Sequence, residues 1–142
     1  MFADRDLVIH TDNLTKAYGQ VEALKGLDLQ VSRNSIFGFL GPNGAGKTTT
    51  MKLLLGLIRP TRGKGTVFGH DIVADSIAIR TRIGYLPQQP RFMPGMTARE
   101  TLRFAARFFY TGPGRAIDER IDDMLDLVGL REKADRPVKG FS

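Results

Sequence analysis

The chain has 142 residues and a formal net charge of +6, and its length suits one domain that can bury a substantial hydrophobic core. It contains no cysteine, which excludes a disulfide framework and thiolate-bound metal. The first ten residues lack a secretory pattern, and the apolar run at residues 53–58 is too short to span a bilayer. We therefore expect a soluble protein, whose positive charge suits nucleotides, nucleic acid or anionic lipid.

The N-terminal part of the chain predicts β structure. Residues 7–31 alternate apolar and polar side chains between turn signals, as antiparallel strands do, and Asp28 and Gln30 would face away from the core. Residues 36–40 form a short apolar run, which is typical of a parallel strand buried on both faces.

A glycine-rich loop follows this predicted strand. Residues 41–48 fit the pattern Gly-x-x-x-x-Gly-Lys-Ser/Thr. Apolar residues then recur with helical spacing from Met51 to Ile58, and Pro60 is expected to close that helix. Strand, glycine loop and helix N-terminus thus come in the order that a phosphate-binding loop requires.

The chemistry of a triphosphate explains the composition of this loop. A helix N-terminus offers unpaired N–H donors and a partial positive charge to clustered phosphate oxygens. Turning the backbone N–H groups inward is expected to need the unusual dihedrals of glycine. Lys47 would reach the β- and γ-phosphates, and the Thr48 hydroxyl would bind Mg²⁺. The predicted nucleotide-binding residues of the loop are Gly41, Pro42, Asn43, Gly44, Ala45, Gly46, Lys47, Thr48 and Thr49.

The second half of the chain predicts mainly helices. A short strand is expected first, at residues 66–68 between glycines. From Thr97 the pattern becomes helical, because Thr97 and Glu100 have the spacing of a capping box. A second helix is predicted over about residues 116–128, with Gly129 as its C-terminal glycine.

Residues 36–50 resemble the ATP-binding subunits of ABC transporters, and the resemblance extends in order over nearly the whole chain. In that family an aromatic residue at the end of the opening strand stacks on adenine, which implies this role for Tyr18. Residues 83–88 resemble the strand that leads into the family's glutamine loop. The resemblance implies that Gln88 contacts Mg²⁺ and the attacking water, with the adjacent Gln89 as the alternative.

Residues 138–142 resemble the approach to the family's signature motif, with Ser142 in the serine position. The sequence stops before the glycines of that motif, the acidic strand with the catalytic glutamate, and the switch histidine. We therefore assign no catalytic residue to this chain and expect that it cannot hydrolyse ATP efficiently by itself.

The resemblance implies an α/β fold, with a partial P-loop NTPase core, an N-terminal antiparallel β subdomain and a helical subdomain. We expect one partial ATP-binding domain over residues 1–142, in which the β subdomain and P-loop core extend to about residue 90 and the helical subdomain covers about 91–142. Residues 38–51 resemble exporters of antibiotics, bacteriocins and similar compounds. The cofactors implied are ATP and Mg²⁺, the metal being bound by Thr48 and Gln88.

The same resemblance implies a transmembrane permease partner, an ATP-dependent homodimer of the full-length protein, a cytoplasmic location at the inner face of the membrane, and no nucleic-acid partner. Two other functions stay open. A non-transport ABC-type ATPase acting on ribosomes or DNA would usually carry long insertions, for which the spacing between Gln88 and Phe141 leaves little room. A short nucleotide-binding regulator would bind ATP without releasing phosphate.

Three further patterns carry expectations. Arg99, Arg103 and Arg107 recur every four residues, which predicts a solvated basic face rather than a nucleic-acid site. The two histidines, His10 and His70, have no second ligand nearby in the sequence and are not expected to bind metal. A dense aromatic patch is formed by Phe104, Phe108, Phe109 and Tyr110. Most of this patch is expected to belong to the core, although the resembled family uses this region as part of a groove that receives a helix of the membrane subunit.

Overall fold

A computed structural model describes residues 6–141 of the chain. The chain divides into two compact units, with the boundary between Gly84 and Tyr85. The sequence analysis predicted the boundary between the β-rich and helical parts at about residue 90. The elements of the first unit are β1 (Leu7–Tyr18), β2 (Val21–Ser32), α1 (Lys47–Leu54), β3 (Arg62–Val67), β4 (His70–Asp71) and α2 (Ser76–Arg80). Those of the second are α3 (Ala98–Ala106), α4 (Gly114–Leu127) and the 3₁₀ helices Arg131–Lys133 and Val138–Gly140.

The strands of the first unit form one antiparallel sheet in the order β2-β1-β3-β4. The antiparallel strands predicted over residues 7–31 are confirmed as the β1–β2 hairpin, which turns at Gly19 with a φ of 59°. Asp28 and Gln30 are exposed as expected, whereas Val31 is buried. The hairpin therefore covers the core with one face and meets solvent with the other.

The strand predicted at residues 66–68 lies only partly within β3. Phe68 has a φ of 53°, a left-handed conformation that is unusual for a bulky side chain. The chain reverses at Phe68 and Gly69, so that the two residues of β4 pair with the end of β3. The prediction failed at Phe68 because an apolar residue here closes a turn instead of extending the strand.

The core of the first unit lies between the sheet, α1 and α2. Leu14 of β1 and Leu53 of α1 are fully buried there. The helix predicted to run towards Pro60 is shorter than expected, since α1 ends at Leu54. Arg80 of α2 donates to the carbonyl oxygen of Leu55 at 3.1 Å, which satisfies a group that the helix end leaves unpaired.

The prediction of a buried strand at residues 36–40 is wrong. This segment is irregular, and the side chains of Ile36 and Leu40 are 105% and 92% exposed. A parallel strand is stable when neighbours satisfy its backbone groups, and no strand within residues 6–141 pairs with this segment. For the same reason residues 83–87, predicted as the strand before Gln88, are also irregular.

The helices of the second unit agree with the sequence pattern. The capping box is confirmed: Glu100 N–H donates to Thr97 Oγ1 at 3.1 Å, and Thr97 N–H donates to Glu100 Oε2 at 2.9 Å. Hydrogen bonding from the backbone N–H of Thr97, and then from its side chain, holds the pKa of the Glu100 carboxyl below its ordinary value. Gly129 follows α4 with a φ of 67°, and Leu130 N–H donates to the Leu125 carbonyl at 2.8 Å, as in a glycine-terminated helix.

The aromatic patch is not core, contrary to the sequence-based prediction. Its members are 40%, 69%, 74% and 54% exposed in chain order. The helix α3 ends at Ala106, so the helical spacing that would turn Phe109 inward does not continue that far. The core of this unit is instead built on Ile121, Leu125 and Ala134.

Two members of the predicted basic stripe form ion pairs, chiefly with α4, whereas Arg107 is exposed to solvent as predicted. Arg99 donates to Asp122 Oδ1 at 2.5 Å and to Asp135 Oδ1 at 3.1 Å. Arg103 donates through Nε to Asp118 at 2.8 Å. The hydrogen bond from Arg99 lowers the pKa of Asp122, although partial desolvation opposes it, and the same pair raises the pKa of Arg99.

We expect the stability contributed by Asp122 to depend on pH. Its folded-state pKa lies below the ordinary value of 3.8, so this contribution is complete well above pH 3.8 and is lost as the pH falls through the folded-state pKa. Asp122→Asn should therefore lower the urea midpoint at pH 7 and have less effect near pH 3. Asp123→Asn, an exposed neighbour on α4, is the matched control. An equal loss at both pH values would contradict an ionic contribution.

Candidate functional site

The glycine-rich loop connects the irregular segment to α1. Gly44 and Gly46 both have a φ of 85°, in the left-handed region that favours glycine. Gly41 does not have a positive φ, so the expected need for glycine dihedrals holds at two of the three positions. At Gly41 a Cβ atom would instead lie 3.2 Å from the Cβ of Ala45, which indicates close packing across the loop.

Gly46 joins the loop to the sheet. A Cβ atom at this position would lie 2.6 Å from the carbonyl oxygen of Ala23 in β2 and 3.3 Å from the side chain of Leu24. The backbone of β2 thus occupies the space that any larger residue would need. The start of α1 is thereby fixed against the hairpin.

Thr50 is a contributor that the sequence analysis missed. Its side chain is fully buried, and both its backbone N–H and its hydroxyl donate to the Gly46 carbonyl, at 2.8 and 3.0 Å. Threonine often bonds back to the carbonyl four residues earlier, so its spacing from Gly46 was the available signal. Thr50 therefore stabilises the junction between loop and helix.

The loop presents donors that the protein does not use internally. Over residues 6–141, no hydrogen-bond acceptor is found for the backbone N–H groups of Gly44, Gly46, Lys47 and Thr48. Asn43, Gly44, Ala45 and Thr48 are also exposed to solvent. Such a row of N–H groups at a helix N-terminus fits an anion with several oxygens.

Lys47 adds a positive charge to these donors. Its ammonium group donates to the carbonyl oxygen of Gly41 and, at 2.7 Å, to that of Pro42. The charge is therefore held over the first half of the loop. Together with the donor row and the exposed Thr48 hydroxyl, it makes a site that fits a phosphate chain with a bound divalent cation.

Tyr18 and Gln88 lie in different units. Tyr18 ends β1, and its side chain is 51% exposed, with Lys16 Nζ 5.1 Å from the ring centroid. Gln88 and Gln89 belong to the second unit and are both exposed, so neither glutamine is favoured by its burial. Ser142, assigned to the signature motif, lies outside the described residues.

The two histidines lie in strands of the sheet. His10 pairs with Thr66 across β1 and β3, and His70 pairs with Val67. Within the part of the chain that the structure describes, no group of three or more histidine, aspartate or glutamate side chains is arranged to hold a metal ion. The same residues include no helix with the length and apolar character needed to cross a membrane.

The exposed Gly-x-x-x-x-Gly-Lys-Thr loop at the start of a helix is the defining site of the P-loop class of nucleotide-binding proteins. Within that class, the chain belongs to the ABC transporter family, which it matches over residues 24–142. The membership and the partial P-loop NTPase fold predicted from the sequence are confirmed.

Two relatives illustrate the likeness. The chain is 41% identical over 135 residues to the bacitracin transport ATP-binding protein BcrA of Bacillus licheniformis, covering 95% of the chain and 43% of that protein. It is 39% identical to the daunorubicin resistance ATP-binding protein DrrA3 of Streptomyces coeruleorubidus, covering 96% of the chain and 43% of that protein. The chain therefore spans less than half the length of these relatives.

Solved structures give the same family. A bacterial ABC transporter cassette determined as a dimer superposes with a TM-score of 0.82 at 25% identity, over 94% of this chain and 63% of that one. A dimeric ATP-binding cassette in a post-hydrolysis state, bound to ADP and Pi, gives a TM-score of 0.81 at 25% identity with the same coverage.

Proposed function

We propose that this chain binds MgATP as part of the ATP-binding subunit of an ABC-type exporter. The observation that carries the proposal is the phosphate loop, which presents unused N–H groups and the Lys47 ammonium at the exposed start of a helix. Both features attract a polyanion, and the row of donors suits a chain of phosphates better than a single charge.

The predicted residues that carry donors, charge or an aromatic ring have separate parts in this proposal. The N–H groups of Gly44, Gly46, Lys47 and Thr48 would donate to phosphate oxygens, and the Lys47 ammonium would lie beside the β- and γ-phosphates. Tyr18 would stack on adenine, because its ring is half exposed at the end of a strand. Thr48 and Gln88 would bind Mg²⁺. The cation would neutralise negative charge on the phosphates.

We propose that ATP hydrolysis is carried out by the full-length protein and not by this chain alone. No residue of this chain is assigned as general base, and the contribution of its loop is to bind and orient the phosphates and to stabilise their charge. We propose that the chain forms one partial domain, with the phosphate loop in the β-rich part up to about residue 90 and a helical part after it.

Export of a drug-like or peptide compound is supported by the relatives. BcrA is named for bacitracin transport and DrrA3 for daunorubicin resistance. We propose a transmembrane permease partner at the inner face of the membrane and, from the dimeric relatives, an ATP-dependent homodimer. The ion pairs of Arg99 and Arg103 reduce the basic surface of α3, which argues against nucleic acid as the partner.

The test of nucleotide binding is a calorimetric titration of the chain with MgATP and, separately, with AMP. We expect ATP to bind at least about tenfold more tightly, since AMP lacks the β- and γ-phosphates that would accept charge-assisted hydrogen bonds from Lys47 and the loop. Equal affinities would contradict the assignment of the phosphate loop. A pull-down of the native protein with ribosomes but no membrane protein would contradict the transport role.

A further inference from the structure

Lys16 lies beside the ring proposed to receive adenine. We propose that it is a positioning residue, which holds Tyr18 in the orientation that stacks on the base. This inference rests on the proposed function, because it concerns the way in which the adenine of a bound nucleotide is received.

The ammonium group of Lys16 contacts both the Tyr18 ring and a backbone carbonyl group. Its Nζ atom is 5.1 Å from the centroid of the Tyr18 ring, within the range of a cation–π contact. The same ammonium group donates to the carbonyl oxygen of Arg59 at 2.8 Å. Because the second contact fixes the ammonium group, the charge is placed over one face of the ring rather than moving freely in solvent.

The backbone next to Tyr18 is hydrogen-bonded to the segment that contains Arg59, between α1 and β3. Ala17 N–H donates to Thr61 Oγ1 at 3.0 Å, and Thr61 N–H donates to the Thr15 carbonyl at 2.8 Å. Tyr18 also pairs with Val21 across the hairpin turn. These contacts fix the Cα position of Tyr18, so that the remaining freedom is the rotation of its side chain, which the contact with Lys16 restricts.

With the cation over one face of the ring, a base would stack on the other face. The ring is 51% exposed, which leaves room for a flat aromatic ligand. A ring that is already oriented loses less conformational entropy when a base stacks on it. Lys16 therefore raises the affinity for the adenine part of the ligand and leaves the phosphate part unaffected.

The experiment compares Lys16→Met with the wild-type chain by titration with MgATP and with inorganic tripolyphosphate. Methionine keeps an unbranched side chain but removes the charge. We expect ATP affinity to fall about three- to fivefold, as for a lost exposed cation–π contact, and tripolyphosphate affinity to stay unchanged. Lys16→Arg should retain ATP affinity. Lys25→Met, at an exposed lysine of β2, is the matched control and should change neither affinity.

A comparison made in the Tyr18→Ala variant distinguishes the positioning role from a general effect of Lys16→Met on folding. In Tyr18→Ala, the further change Lys16→Met should cause no additional loss of ATP affinity, because the ring that Lys16 orients is gone. An equal loss for both ligands, or a full loss in the Tyr18→Ala background, would overturn the positioning role. A wild-type chain that binds neither ligand would instead overturn the proposed function itself.

Discussion

Lys47→Ala is expected to weaken MgATP binding by about 1.5–3 kcal/mol, which is roughly a 10- to 150-fold rise in Kd. The substitution removes the ammonium group that donates to the carbonyl oxygens of Gly41 and Pro42 in the phosphate loop. The backbone N–H groups would remain, so residual binding is expected. Isothermal titration calorimetry of both proteins measures the difference directly.

The control for this prediction is Lys52→Ala. Lys52 is an exposed lysine in the last turn of the same helix, and its loss changes the net charge equally. We expect its effect on ATP affinity to be several-fold smaller, since it is remote from the helix N-terminus. Equal losses in the two variants would indicate a general effect of charge and would refute a specific contact from Lys47.

Gly46→Ala is expected to destabilise the first unit by about 2–5 kcal/mol. A non-glycine residue pays roughly 1–2 kcal/mol to adopt the left-handed conformation that the φ of 85° requires. The new Cβ atom would also lie 2.6 Å from the Ala23 carbonyl oxygen, and overpacking of this kind typically costs about 1–3 kcal/mol. Urea unfolding monitored by circular dichroism gives the change in free energy of unfolding.

Gly44→Ala separates the two causes of this loss. Gly44 has the same φ of 85°, but a Cβ atom there meets nothing within 4 Å. Its loss of stability should therefore reflect the backbone conformation alone, at about 1–2 kcal/mol. If Gly46→Ala proved no more harmful than Gly44→Ala, the contact between the loop and β2 would contribute nothing to stability.

Features that depend on neighbouring residues in the sequence were predictable. The phosphate loop, the hairpin and the capping box at Thr97 each rest on residue types at fixed short spacings. The family resemblance added Tyr18 and Gln88, which no spacing rule could have assigned. The structure describes both positions, but their roles towards a nucleotide remain predictions.

Features that depend on distant partners were not predictable from pattern alone. Residues 36–40 have the composition of a buried strand, but composition cannot supply the neighbouring strand that burial requires. The spacing of Arg99 and Arg103 marks a helix face, but the acidic side chains opposite it come from α4 and the chain beyond. The contact of Gly46 with Ala23 joins residues that are far apart in sequence and leaves no periodic signal.

The two halves of the phosphate loop differ in how the fold holds them. From Gly46 onward the chain is fixed by β2 and Thr50, so opening it requires local unfolding of packed structure. Before Gly44 it continues an irregular, exposed segment, which Lys47 contacts through two carbonyl groups. The free energy of local opening should therefore rise along the loop towards the helix, and the amide hydrogen of Thr50, which is bonded to the Gly46 carbonyl, should exchange with solvent more slowly than that of Gly44.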